Sequence, residues 1–314
     1  MVSPPGEVAA ALVARLFPGE TARIEALAGG ITNSNFKVSV GARSVVVRVP
    51  GRRTELLGID RSVEAAASRV AALTGVGPEV LAFDEPTGCI VTAFLDGVPV
   101  APDVLATEPL LGEVVTALRR VHTAGRVPAV FDPYSVVARY HSEIAARGGA
   151  EPFDYERMAA LLGQMAERCP LRPTVLGHND LLNSNLIHDG AIRILDWEYA
   201  GMTDPYFDLA NFSVNNELGE ERDEAVLAHY FGGATPHGLA RLRLMKLASE
   251  AREAMWAALQ LVISDLEIDF AAYGHDRAER FFVLADHLDV PSLLAAACAG
   301  RHGEEEEEEG MVKE

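Results

Sequence analysis

Residues 174–211 read TVLGHNDLLNSNLIHDGAIRILDWEYAGMTDPYFDLAN. Asp189-Gly190 stands between apolar residues in alternation, a strong signal for a two-residue hairpin turn. That register pairs His188 with Ala191, Ile187 with Ile192 and Asn185 with Ile194. It brings Asn185 and Asp196 together at the open end of the hairpin, with Asp180 on the loop that enters it. No Lys or Arg lies in that loop to neutralise them. Clustered carboxylate and amide oxygens are hard ligands that suit Mg²⁺, a cation that also takes substrate phosphates. Singly, Asp180 and Asn185 also read as turn caps; their joint spacing favours a metal and phosphate site.

The segment before it is rich in strand signals. Residues 24–28, 35–40 and 44–49 read as strands, punctuated by Gly29-Gly30 and Gly41. Two more strands surround Glu85-Pro86-Thr87-Gly88, a turn sequence. Residues 62–74 read as a helix with Val63, Ala66, Ala67, Val70 and Leu73 on one face. Asp60 or Ser62 would cap it, and Gly75, Gly77 and Pro78 stop it. In LAGGITNSNF, residues 27–36, Gly29 and Gly30 let the backbone approach a phosphate, and Thr32, Asn33 and Ser34 add polar groups. The same string also reads as an ordinary hairpin turn. Arg48 interrupts a valine run, where a charge is costly unless paired. Glu64 on the following helix is one partner and a nucleotide's phosphates are another; placement on an exposed strand face is the alternative.

Residues 94–103 are rich in Gly and Pro and read as a linker, and beyond them the texture is helical. Leu111, Val114, Val115, Leu118, Val121 and His122 form one stripe; Leu244, Leu247, Ala248, Ala251, Met255, Ala258 and Val262 form another. His122 reads as a core histidine rather than a proton relay. The expected organisation is an N-lobe over 1–94, a C-lobe over 95–300 and a disordered tail over 301–314, where Glu304–Glu309 repel one another.

His178-x-Asp180-x4-Asn185 followed by a strand and Asp196, spelled HND…N and LDWEY, resembles the choline/ethanolamine kinase family within the aminoglycoside phosphotransferase superfamily. GGITN and VVRVPG are similar to the same family, and the resemblance covers residues 20–285. It implies an α+β, two-lobed protein-kinase-like fold, with a small antiparallel-sheet N-lobe carrying one helix and a larger, mainly helical C-lobe. It implies ATP and Mg²⁺ as cofactors, with the γ-phosphoryl group moving to the hydroxyl of choline or ethanolamine. Asp180 would orient or deprotonate that hydroxyl, and Asn185 and Asp196 would hold the metal. Gly29, Gly30, Thr32, Asn33, Ser34, Arg48, Glu64 and Phe94 would hold the nucleotide, its adenine near residues 92–97. His178 would shape the catalytic loop.

The same resemblance places an acceptor pocket after Asp196 and in the late helices. MWAALQLVISDLEIDFAAYGHDRAERFF, from Met255 to Phe282, is similar to the family's C-terminal helices. Tyr199, Trp256 and Tyr273 match an aromatic box, with Glu198 and Asp208 nearby. Aromatic faces attract cations, so a cationic amino alcohol is the implied partner. Glu253 stands where eukaryotic members have a second Trp, which leaves the box incomplete. Thiamine, an aminoglycoside or a sugar as acceptor, and a non-catalytic nucleotide-binding module, are the rival readings.

Composition is consistent with this. The 314 residues carry 46 Asp+Glu against 27 Lys+Arg, for a net charge of −19, and the mean hydropathy is +0.10. The apolar half is ample for a core, which excludes a disordered chain. Basic doublets are few, which argues against a nucleic-acid surface. Three widely spaced cysteines make no zinc or disulfide framework, so a reducing cytoplasm is expected. No apolar run reaches membrane-spanning length.

Overall fold

The computed structural model describes residues 3–28, 30–105 and 107–299. The expected acidic tail and Gly29 lie outside the described residues. The first elements are α1 (Pro5–Leu16), β1 (Ala22–Ala26), β2 (Asn33–Val40), β3 (Arg43–Pro50), α2 (Arg61–Leu73), β4 (Val80–Asp84) and β5 (Cys89–Ala93). The five strands form an antiparallel sheet in the order β1-β2-β3-β5-β4.

Strand alternation gives that sheet two faces. Val38, Val40, Val45, Val47, Val49, Cys89 and Val91 are buried together with Ala9, Leu12 and Val13 of α1. The expectation of one helix beside the sheet is thereby corrected: α1 covers its outer face, and the short Ala9/Leu12/Val13 stripe is the signal that went unread. Asn35, Arg48 and Ile90 line up across three strands at the alternate positions, away from α1. Helix α2 starts as expected, Asp60 accepting from Ser62 N at 2.8 Å and Val63 N at 3.2 Å. Its Val63, Ala67 and Ala71 join a second, larger core shared with the helical half of the chain.

The connection to that half is not a free linker. Val98-Pro99 forms β6, which pairs with β8 (Leu186–His188) of the hairpin completed by β9 (Ile192–Ile194). The helical half also contains α3 (Pro102–Leu105), α4 (Leu110–Ala124), α5 (Pro133–Ala146), α6 (Tyr155–Arg168), α7 (Pro205–Asn215), α8 (Glu220–Phe231), α9 (Pro236–Ile263), α10 (Phe270–His287) and α11 (Val290–Ala299). The short strands β7 (Val175–Gly177) and β10 (Gly201–Thr203) pair with each other. Helix α9 is buried on nearly every side, and its buried set includes Arg241, Lys246, Glu250, Arg252 and Glu253 beside the apolar residues. Helices α5, α7, α10 and α11 pack around it. Among the described residues no single helix is long and apolar enough to cross a membrane.

The hairpin register differs by one residue from the expected one. Leu186 faces Ile194, Ile187 faces Arg193 and His188 faces Ile192, so the loop has three residues, Asp189 to Ala191. A one-residue slip would turn a strand's apolar set to the other face. The observed register puts Leu186 and Ile194 opposite each other, both fully buried.

The sheet's own core is small and depends on α1. We expect Leu12→Ala to cost about 2–4 kcal/mol, as buried Leu truncations do. Urea unfolding of the variant against the parent chain measures it.

Candidate active site

The loop after β7 owes its shape to the polar residues in and just after α7. Gly177 ends β7 so tightly against β10 that a Cβ there would lie 2.3 Å from Thr203 Cγ2. Beyond it the backbone N–H groups of His178 and Asn179 donate to the two oxygens of Asp208, at 2.7 and 2.6 Å. Leu181 N donates to Asn211 Oδ1 at 2.6 Å, and Asn216 Nδ2 donates to Leu181 O at 2.9 Å. Asn179 takes a left-handed φ of 67° and ties itself to Tyr199 O at 3.0 Å. These bonds satisfy buried backbone groups that a loop otherwise leaves orphaned.

Asp208 is therefore corrected from an acceptor-binding residue to the buried anchor of the loop. Burial works against its charge. The bond from His122 Nε2 at 2.9 Å, the nearby imidazoles of His122 and His178, and the His178 N–H outweigh that cost and hold its carboxyl below the usual range. A carboxylate only accepts, so His122 carries its proton on Nε2, and Nδ1 accepts from Tyr230 OH at 2.7 Å. The core reading of His122 holds. His178 is buried, which lowers its pKa; Nε2 donates to Leu195 O at 2.7 Å while Nδ1 accepts from Asp180 N at 3.2 Å.

Backbone and amide hydrogen bonds bring Asp180, Asn185 and Asp196 near one another. Asn185 Nδ2 donates to Asp180 O at 3.0 Å, and Leu195 N donates to Asn185 O at 2.8 Å, which sets Asp196 beside the amide. Asp196 has a positive φ of 67°, backbone strain of the kind that collects at functional sites. The absence of a cation in the loop itself does not leave the group uncompensated, because arginines arrive from elsewhere in the chain. Arg252 of α9 donates Nη1 to Asp180 Oδ1 at 2.9 Å. Arg48 donates Nη1 to Glu64 Oε1 at 2.5 Å and pairs through Nη2 with Asp196. Burial pushes the Asp180 carboxyl up to about 7; Arg252 opposes that shift, and the charges of Glu253 and Asp196 add to it. Burial works against the Arg48 charge, yet Asp196, Glu64 and Glu198 more than offset it and raise its pKa.

The glycine loop closes over this arrangement. Gly30 has a φ of +93°, and a Cβ on it would lie 2.8 Å from Asn33 O, so only glycine fits there. Thr32 Oγ1 and Asn33 Nδ2 donate to Glu198 at 2.5 and 2.8 Å, and Arg61 Nη1 reaches the same carboxylate at 3.1 Å. Glu198 is thus corrected from the acceptor side to the loop side, where burial foremost and Asp196 next raise its pKa. Ser34 lies in β2 opposite Val49. Phe94 follows β5, and Lys37 Nζ sits 3.7 Å above its ring. Arg61, which also donates to Glu64 at 2.6 Å, was missed by the sequence reading. Its place in the first turn of α2, three residues before Glu64, was the available signal.

The three expected aromatic residues do converge. Trp256 Nε1 donates to Tyr199 OH at 2.9 Å, and the Trp256 and Tyr273 rings meet edge to face at 6.1 Å. Glu253, expected as a gap in the box, accepts from Tyr273 OH at 3.0 Å and pairs with Arg252.

Thr32 and Asn33 are thus tied to Glu198, two residues from Asp196, which Arg48 joins to the sheet. The family model for the phosphotransferase enzyme family matches residues 23–245. A choline/ethanolamine kinase family protein from Mesorhizobium loti has a solved structure 30% identical to this chain, with a TM-score of 0.79, covering 95% of this chain and all of that one. The chain belongs to the phosphotransferase enzyme family, on its choline/ethanolamine kinase side. Protein LicA of Haemophilus influenzae is 25% identical over 272 residues, 83% of this chain and 79% of that protein. Human ethanolamine kinase 2 is 26% identical over 308 residues, 87% of this chain and 79% of its own length. This phosphotransferase accordingly has the two-lobed fold of the kinase-like enzymes and acts on an alcohol group.

Asp208→Ala leaves two loop N–H groups and His122 without their acceptor. We expect a loss of about 3 kcal/mol or more, as when one partner of a buried charged pair is removed. The folded-state pKa of Asp208 is lowered, so its contribution is present above the unfolded value of about 3.9 and is lost as pH falls through the folded one. Urea midpoints measured from pH 7 downward should begin to draw together for parent and variant as pH falls below about 3.9.

Proposed function

We propose that this phosphotransferase moves the γ-phosphoryl group of ATP, with Mg²⁺, to the hydroxyl of a small amino alcohol, ethanolamine or choline. The observation that carries the reading is the span of Arg48: one guanidinium leaves the sheet, is braced by Glu64 and reaches Asp196. Asp180 lies close enough to Asp196 to feel its charge. Phosphoryl transfer needs little covalent chemistry from a protein and much positioning and charge neutralisation.

The donor set fits the cation. Asp196 offers a carboxylate, and Asn185, whose Nδ2 is spent on Asp180 O, keeps its amide oxygen for a ligand. Among the described residues no group of three or more His, Cys, Asp or Glu could hold a metal by itself. That suits Mg²⁺, which binds through one or two protein oxygens and the substrate's phosphates. Asn185 and Asp196 would hold it, and when bound it supplies positive charge to the phosphates.

The chain's own residues do the rest. Gly30, Thr32 and Asn33, with Gly29 before them, would cradle the phosphates, and Arg48 would carry positive charge to them. Val46 and Thr92, register partners beside Phe94, would line the adenine site. Asp180 would orient the acceptor hydroxyl through one carboxylate oxygen, or take its proton, while Arg252 holds the other. A cytoplasmic location would supply the ATP.

Incubating the purified chain with Mg-ATP and ethanolamine, choline, thiamine, an aminoglycoside or a sugar, with products scored by mass, tests the acceptor. Asp180→Asn should lower kcat by about 10²–10⁴-fold, the usual contribution of a positioned acid–base group. Its circular dichroism should match the parent, and a near-normal rate would remove Asp180 from its assigned role.

A further inference from the structure

A cage for a bulky cation needs free aromatic faces, and in this chain two of them are already taken. The guanidinium of Arg252 lies 4.3 Å from the Tyr199 ring centroid, and that of Arg277 lies 5.1 Å from the Tyr273 ring centroid. Tyr199 is only 7% exposed, so its ring offers a ligand little open surface. Arg252 is buried to 1% exposure, held at Nη1 by Asp180 and Glu253, while its Nε and Nη2 have no hydrogen-bond partner. That guanidinium is seated by the ring as much as by the carboxylates. Arg277 is held by Glu250 at 3.2 Å.

The charges around these rings are uneven. Three carboxylates, Asp180, Glu250 and Glu253, face two guanidinium groups, Arg252 and Arg277. A ligand cation would find carboxylate oxygens there. A primary ammonium brings three N–H donors to carboxylate and tyrosine oxygens. A trimethylammonium has none and depends on ring faces.

We propose that Arg252 is a specificity-determining residue: it occupies the Tyr199 face as a built-in cation, so the acceptor is an amino alcohol whose nitrogen carries hydrogens rather than three methyl groups. The inference rests on the amino-alcohol reading above and narrows it.

Initial rates of the full chain with Mg-ATP and ethanolamine, N-methylethanolamine, N,N-dimethylethanolamine and choline test it. The expected kcat/KM falls with each methyl group, with choline about tenfold or more below ethanolamine, the scale of one desolvated cation–π contact. Arg252→Met, which removes the cation and keeps the length, should move the choline-to-ethanolamine ratio about tenfold toward choline, while Arg252→Lys keeps the parent's preference. Because Arg252→Met also strips a partner from Asp180, the ratio and not the rate is the readout. Calorimetric binding of tetramethylammonium against methylammonium gives the same ratio without turnover. Choline used as well as ethanolamine by the parent chain, or an unmoved ratio in Arg252→Met, overturns the inference and leaves the amino-alcohol reading standing. Transfer to none of the four by a folded chain removes both.

Discussion

The carboxylate of Asp208 is the constraint on which the site depends. It is fully buried and takes two backbone N–H groups of the catalytic loop and the imidazole of His122. A loop that turns at a left-handed Asn179 needs its N–H groups satisfied inside the protein, where water cannot do it. With those groups fixed, Asp180 emerges at a defined point and Asn185 can reach back to its carbonyl. The low dielectric that makes an unpaired group costly also strengthens a complete network. Helix α7 is therefore a scaffold for the chemistry.

Much of this was legible in the sequence, and the failures have physical causes. The strand spans, the capped helix α2 and the meeting of Asp180, Asn185 and Asp196 follow from periodicity, turn residues and spacing. The pairing of Arg48 with Glu64 follows from the cost of a charge in an apolar strand. The hairpin register was misread because turn identity was weighed above burial, and Leu186 facing Ile194 decided it. Helix α1 was missed because its apolar stripe is short. Asp208 and Glu198 were assigned to the acceptor by nearness in sequence, but helix direction turns one behind the loop and the bend after Asp196 sends the other to the glycine loop. The pairs of Arg61 with Glu198 and of Arg252 with Asp180 span long stretches of chain, and no local pattern reports them.

The site is organised by arginines that each serve more than one carboxylate. Arg48 joins Glu64 to Asp196, Arg61 joins Glu64 to Glu198, and Arg252 joins Asp180 to Glu253. Buried ion pairs of this kind add little net stability, since desolvation offsets their attraction. Their value lies in orientation: Glu64, Asp196, Glu198 and Asp180 are each met by a planar donor anchored on another element.

The strand pairing of Val98-Pro99 with His188 and Ile187 has a mechanical side. The chain leaving the sheet is stitched to the same hairpin whose ends carry Asn185 and Asp196, and Val100 N adds another stitch to Leu186 O at 3.0 Å. Rocking of the sheet over the helices would tug on that seam and so on the hairpin that leads to Asn185 and Asp196.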